Sequence, residues 1–415
     1  MTTALPPARP PRGILSRLLS RRAAPAAPLT SAQAERQLFG PIRGELLGAE
    51  GLAERAREVA RGQRLLPAPS SAREARRRAG RGGGPLFRRL AETQEILEEA
   101  RDSLTQAADR GADVSPAGDW LLDNFYVVEE HIRETRESMP VGYYAELPKL
   151  ASGTLVGYPR IYEVAIELIA HTEGRLTLDN IETFVSEFQR VTPLTIGELW
   201  AIPAMLRLGL IENVRRLGLR TTQWLRDVEQ ADEWAERLHR AAEGANGADG
   251  AEGSGLGANA SSAGVTAIDT AMNGGGAIRP LDPSHALATA LAEFVNGHPP
   301  LTPAFVTRFL QLIRTTQSSF TPLVWLEQWI AEDGGLTAED AASRSNQRLA
   351  LTQVMMANSI TSLRTIARLD WKTLVEAQSV LERALRADPT GDYGAMSFGG
   401  RDHYRHVVEH IAKRT

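Results

Sequence analysis

Helix-start signals recur along this chain and leave room for little besides helices. Thr195 is followed three residues later by Glu198, the spacing of a capping box, in which each side chain takes up a backbone N–H of the first turn. Thr302-Pro303 sets a cap before a proline at the first helical position, and Asp179 with Glu182 and Thr337 with Asp340 repeat the cap-plus-acid pattern. Only residues 153–160 combine β-formers with flanking Gly and Pro, and that run is too short to seed a sheet. The expected fold class is all-α.

Two compositional breaks divide the helical text. Residues 66–86 are rich in Pro, Ser, Arg and Gly, and residues 244–281 are dominated by Gly, Ala, Ser and Asn. Too few large apolar groups lie there to offset the entropy of ordering the chain. The expected organisation is a disordered basic arm over 1–33 and a short helical unit with an Arg/Gly/Pro linker over 34–86. A first helical domain over 87–243, a flexible Gly/Ala-rich linker over 244–281 and a second helical domain over 282–415 follow. No repeat of fixed period is legible, so a regular solenoid is not expected.

Charge is distributed as unevenly as composition. The net charge of −4 conceals residues 1–90, which hold 18 Arg and 6 Glu for +12, against −16 over the remainder. A basic arm of this kind suits an anionic partner such as a membrane surface, where each Lys or Arg contributes about 1 kcal/mol, or nucleic acid, and it also reads as a solvated, partly disordered tail. A secretion signal needs an unbroken apolar stretch, and Arg17 interrupts Ile14-Leu15-Ser16-Arg17-Leu18-Leu19, so cleavage and export are not expected. The best candidate for a membrane span, Leu199 to Val214, contains Arg207 and Glu212, so no crossing of a membrane is expected.

Tests for chemistry return little. The chain has no cysteine, which excludes disulfides, thiolate metal sites and a cysteine nucleophile. Neither a phosphate-binding P-loop nor a dinucleotide-binding glycine motif is present, and Gly82-Gly83-Gly84 lies among arginines rather than after a strand. His403, His406 and His410 share one helical face, but a metal site needs further ligands, and a basic last turn favourable to the helix dipole explains them. Carboxylate pairs such as Glu129 with Glu130 and Glu332 with Asp333 are not placed across a cleft by their spacing. Trp200, Trp224, Trp234, Trp325, Trp329 and Trp371 read as helix-packing anchors. No catalytic residue and no metal ligand is therefore assigned.

A loop after Pro140 is unusual for a plain bundle, because it concentrates tyrosines with Pro, Lys and Arg. Loops with aromatic and basic groups are where contact surfaces tend to form. Candidate partner or sugar contacts are Tyr143, Tyr144, Lys149, Tyr158, Arg160 and Trp200, with Thr195 and Glu198 as a structural cap.

The same region carries a resemblance. LLDNFYVVEEHIRETRESMPVGYYAELPKL, then GYPRIYEVAIELIAHTEGRL and FVSEFQRVTPLTIGELWAIPAMLRLGLIENVRRL, are similar to the N-terminal cytoplasmic region of cyclic β-1,2-glucan synthases. GPIRGELLGAEGLAERAREVARGQ, SNQRLALTQVMMANSITSLRTIARLDW and DPTGDYGAMSFGGRDHYRHVVEHIA resemble successive blocks of that region. The resemblance implies an inner-membrane glucosyltransferase that uses UDP-glucose to make a periplasmic cyclic glucan, with a glycoside-phosphorylase-like region beyond. The sequence stops at Thr415, before any such part, so the expectation is a truncated product, a fragment or a separately encoded piece.

What the resemblance implies for this chain is a non-catalytic docking or scaffold role with no cofactor of its own, UDP-glucose being the donor of the full-length family. The implied partners are the glycosyltransferase and membrane regions of the same synthase, with an anionic membrane met through residues 1–90 and no nucleic acid. The implied location is cytoplasmic, at the inner face of the inner membrane. The alternatives are an independent helical adaptor binding a protein or acidic partner through the basic arm and tyrosine-rich loop, and a carbohydrate-active enzyme acting through the loop.

Overall fold

A computed structural model describes residues 42, 44–69, 73, 74, 77, 84–249, 283–315 and 323–412, without the side chains of 244–249, 283–285 and 410. The arm at 1–33, most of the 66–86 linker and the 244–281 linker from 250 onward lie outside the described residues. The described residues form sixteen helices and no strand, so the fold is all-α. The candidate β-run at 153–160 contributes only Pro159 to an isolated bridge with Lys149, and a second isolated bridge joins Leu65 to Leu150 outside it.

In chain order the helices are α1 (Ala49–Gly62), α2 (Pro85–Asp109), α3 (Ser115–Asp123), α4 (Phe125–Ser138), α5 (Val141–Glu146), α6 (Arg160–His171), α7 (Leu178–Gln189) and α8 (Ile196–Asp249). They continue as α9 (Pro283–Asn296), α10 (Pro303–Thr315), α11 (Leu323–Gly334), α12 (Ala338–Arg368), α13 (Trp371–Gln378), α14 (Val380–Arg386), α15 (Asp392–Ala395) and α16 (Phe398–Ala412). No described helix is long and apolar enough to cross a membrane.

Capping chemistry fixes several of these boundaries. Thr195 Oγ1 accepts from Glu198 N at 3.2 Å while Thr195 N donates to Glu198 Oε2 at 2.9 Å, which is the reciprocal capping box. Thr302 Oγ1 accepts from Phe305 N at 3.2 Å and Thr337 Oγ1 from Asp340 N at 3.1 Å. At α7 the cap lies two residues before the expected Asp179. Thr177 Oγ1 accepts from Asn180 N at 3.3 Å and Asn180 Oδ1 accepts from Thr177 N at 3.0 Å. Asn180 thus does the work of the usual acid, and Asp179 lies inside the first turn.

The helices gather into two units, and these interleave along the chain. One comprises the described residues of Met1–Ala112, Ala117–Leu219 and Gln353–Thr415; the other comprises Asp113–Pro116 and the described residues of Arg220–Thr352. The chain passes between the units at four points, none of them within 244–281; two flank Asp113–Pro116, and two cut through long helices, α8 after Leu219 and α12 before Gln353.

In the first unit α6 is apolar nearly all round, with Ile161, Tyr162, Val164, Ala165, Ile166, Leu168, Ile169 and Ala170 buried, as befits a central helix. Helix α7 is amphipathic instead, burying Ile181, Phe184, Val185 and Phe188 at the i, i+3, i+4, i+7 spacing. Its main partner is α1, which turns Leu52, Ala56, Val59 and Ala60 inward. Arg57 of α1 meets Glu187 of α7 at 2.5 Å along the rim of that contact. After α6 the chain reverses through Gly174, at φ +76°, where an added Cβ would lie 2.8 Å from Ser359 Oγ. Ser362 on α12 locks this turn, donating to Gly174 O at 2.7 Å and accepting from Leu176 N at 2.8 Å.

The second unit is built on stacked aromatics. Phe294 lies parallel to Phe309 at 4.9 Å, Phe305 stacks on Phe309 at 5.5 Å, and Trp234 and Trp329 present edges to Phe294 at 5.4 and 5.5 Å. These two tryptophans act as packing anchors. Trp371, in the first unit, donates its indole N–H to Ile366 O at 2.8 Å.

The cap assignment at α7 is open to test by thermal unfolding. Thr177→Ala is expected to cost about 1 kcal/mol, the usual loss for a hydroxyl cap, and Asp179→Ala a smaller amount.

Candidate functional site

The first turn of α8 is where the loop residues and the C-terminal block meet. Arg160, the first residue of α6, is buried, and its guanidinium forks onto Glu198 with Nε to Oε1 at 2.5 Å and Nη2 to Oε2 at 2.8 Å. Nη2 also donates to Pro193 O at 2.8 Å, and the guanidinium lies 5.8 Å from the centre of the Phe188 ring. Glu198 has no exposed surface, so this is a fully desolvated pair held in bidentate geometry. The Tyr143 hydroxyl donates to Gly197 O one residue earlier, and burial raises its pKa well above the ordinary value.

From the other side comes α16. Glu409 Oε1 accepts from Ile196 N at 2.5 Å, satisfying one of the amides that a helix start leaves open. Trp200 donates its indole N–H to Asp402 Oδ1 at 3.2 Å and meets Phe398 edge-on at 6.1 Å. Two carboxylates therefore sit at the positive end of the α8 dipole, one from α8 itself and one from α16.

Behind Asp402 lies a second buried network. Arg405 is fully buried and donates to Asp402 Oδ1 at 3.0 Å, to Glu376 Oε1 at 3.2 Å and to Glu382 Oε2. Glu382 Oε2 also accepts from the Tyr393 hydroxyl, and Oε1 from Arg386 Nε at 2.7 Å. Burial alone would raise the Glu382 carboxyl, but hydrogen bonds from Tyr393, Arg405 and Arg386 outweigh it and hold it below its usual value. Tyr393 is pushed up to about 12, by burial first and then by Glu382.

The remaining residues singled out in the sequence are also held inside the first unit. Tyr144 is buried, with Phe87 edge-on at 5.4 Å and Lys149 Nζ 4.6 Å from its ring centre. Lys149 Nζ donates to Tyr144 O at 3.1 Å and Ala145 O at 3.2 Å, closing the end of α5. Tyr158 is half-buried and stacks on Tyr162 at 5.6 Å. Tyr143 and Tyr144 lie on the short helix α5 where a loop is expected, because Val141–Glu146 completes one turn and a half after Pro140. Arg160, Tyr143 and Trp200 converge on one turn, while Tyr144, Lys149 and Tyr158 face other neighbours.

Glu382, Arg405, Asp402 and Glu409 are not legible as site residues from spacing. The only hint is that three of them belong to the DPTGDYGAMSFGGRDHYRHVVEHIA block. His403 and His406 are exposed, the side chain of His410 is outside the described residues, and no metal-binding cluster of three or more His, Cys, Asp or Glu side chains occurs among the described residues. Glu129, Glu130, Glu332 and Asp333 are exposed. A small void beside the site has only apolar lining, including Ile161, Leu168, Ile181 and Ile202.

No family model matches the chain. It is 32% identical over 324 residues to the cyclic beta-(1,2)-glucan synthase NdvB of Rhizobium meliloti (strain 1021). The chain belongs to the cyclic β-1,2-glucan synthase family. The match takes in 78% of this chain but spans about a tenth of that synthase's own length, 10%. The synthase-like blocks quoted from the sequence fall within the first unit, apart from Ser345–Thr352.

A further ion cluster is centred on the buried Glu212. Glu212 on α8 meets Arg89 at 2.5 Å, Arg215 at 2.6 Å and Arg216 at 3.2 Å. Burial would raise its carboxyl, but the hydrogen bond and charge of Arg215, with Arg89 and Arg216, lower it from 4.5 to about 2. A carboxyl lowered on folding stabilises fully above its unfolded value and loses that contribution as pH falls toward the folded one. The contribution is roughly 3 kcal/mol at neutral pH. Urea unfolding is expected to show stability falling between about pH 4.5 and 2 in the parent, with a smaller fall in Glu212→Gln.

The α8 clamp makes a separate expectation. Arg160→Ala strands a buried carboxylate and is expected to lose about 3–5 kcal/mol, whereas Arg160→Met combined with Glu198→Leu restores most of it. Equilibrium denaturation of the three variants measures both.

Proposed function

We propose that this chain is a docking and scaffold region of a cyclic β-1,2-glucan synthase, one that positions the glucosyltransferase machinery and performs no chemistry itself. UDP-glucose is then the donor used by the rest of the enzyme. The place of action is the cytoplasmic face of the inner membrane, with residues 1–90 supplying positive charge toward anionic lipid.

The observation that carries this reading is the inverted polarity of α16. Its charged residues point inward: Arg405 is buried, Asp402 serves Trp200 and Arg405, and Glu409 serves the start of α8. Three of its apolar or aromatic residues point outward, with Tyr404 48% exposed, Val407 43% and Ile411 57%, whereas Phe398 packs on Trp200. These three follow the i, i+3, i+7 spacing of a helix seam, the way an amphipathic helix presents anchors to a partner. A contiguous apolar ridge left to solvent is costly and marks contact with another surface. The partner proposed here, the glucosyltransferase and membrane regions of the same enzyme, is suggested by membership of the synthase family.

The adaptor alternative draws on the basic arm but loses its second element. Tyr144 and Arg160 are buried, and the Tyr143 hydroxyl is bonded inside the unit, so the tyrosine-rich segment offers little to a partner.

Val407→Glu, introduced into the synthase assembly, is expected to lower UDP-glucose-dependent cyclic glucan synthesis several-fold while leaving the melting temperature of the isolated chain within a degree or two. Undiminished synthesis by that variant would sink the docking role.

A further inference from the structure

We infer that residues 220–352, which share a unit with the four residues Asp113–Pro116, are an inserted module: they fold on a core of their own, and at Leu219 and Gln353 the chain leaves and re-enters the first unit at neighbouring points. Two independent observations support this.

The first is the composition of the core. Ala231, Ala235, Leu238, Leu291, Phe294, Phe305, Val306, Phe309, Leu310, Ile313, Leu326, Ile330 and Ala341 form one buried cluster, and every member lies between Arg220 and Thr352. The half-buried residues packed on it, Trp234, Leu301, Trp325 and Trp329 among them, come from the same span. A segment that buries its own apolar face does not need a neighbour to do so.

The second is the geometry of exit and return. Asn213 of α8 donates to Ser359 of α12 at 2.9 Å, so the two helices are side by side within the first unit. Farther along α8, Asp227 lies close enough to Arg348 of α12 to feel its charge, so advancing along α8 means going back along α12 and the pair is antiparallel. The chain leaves the first unit after Leu219, six residues beyond Asn213, and returns at Gln353, six residues before Ser359. Equal steps along an antiparallel pair keep the two points level, about 9 Å from the Asn213–Ser359 contact and about 8–10 Å from each other. A turn of about 2–8 residues can join antiparallel helices at that separation. The first unit therefore closes on itself without the intervening residues.

Hydrogen exchange on the full chain tests this. Phe309→Ala removes a ring from the centre of the module core, and protection of amides at Leu238, Leu291, Phe305 and Leu326 is expected to fall at least tenfold. Amides at Ile169, Phe184, Ile211 and Leu363 are expected to stay within about twofold. A comparable loss in both sets overturns the inference. In a second variant, Arg220–Thr352 is replaced by a five-residue Gly/Asn turn. Retained near-ultraviolet circular dichroism and one cooperative melt support the inference; a molten or aggregated product contradicts it.

Discussion

The first unit depends on a buried ion pair placed where a helix begins. Arg160 starts α6 and Glu198 lies in the first turn of α8, so their bidentate contact fixes the origin of one helix against the origin of the other. The guanidinium and carboxylate have been taken out of water, and each is tolerable there only because the other is present. Glu198 also completes the capping box with Thr195. One carboxylate thereby ends a loop, begins a helix and neutralises a buried arginine. The neighbouring atoms of the same turn are taken up by Tyr143 and Glu409.

This arrangement accounts for several of the charged residues of the first unit. Arg160, Glu198, Glu212, Glu382 and Arg405 are all buried in the first unit, and their partners are other side chains or backbone of that unit. Such pairs contribute specificity of geometry more than net stability, and here they register helices that are far apart in sequence. Turning the polar side of α16 inward has a corollary, since Tyr404 and Val407 are left facing outward. The buried ion network and the exposed apolar residues are two sides of one helix.

Local features were legible in the sequence, and long-range ones were not. The capping residues Thr195, Thr302 and Thr337 bond as their spacing requires, because a cap depends on atoms three residues away. Thr177 was masked by Asp179, since Asn180 in place of Glu or Gln disguises the box. The tyrosine-rich stretch reads as a contact loop because composition does not report burial; Tyr144 and Arg160 are enclosed by residues from α2, α7 and α8. The convergence of Asp402 on Trp200 and of Glu409 on Ile196 joins residues about two hundred positions apart, 202 and 213, and no local pattern encodes it. The low-complexity stretch at 244–281 suggests a boundary between successive domains, yet the units divide inside α8 and α12, where the helical text runs on without a break.

A double-mutant cycle between Tyr143→Phe and Glu409→Gln tests most directly whether the first turn of α8 is the joint between the tyrosine segment and the C-terminal helix. The two side chains hold adjacent residues, Gly197 and Ile196, from opposite sides. A shared joint predicts that the two losses of unfolding free energy fail to add, with a coupling of about 0.5 kcal/mol or more. Losses that add within about 0.3 kcal/mol would show the two contacts to be independent and would contradict the account.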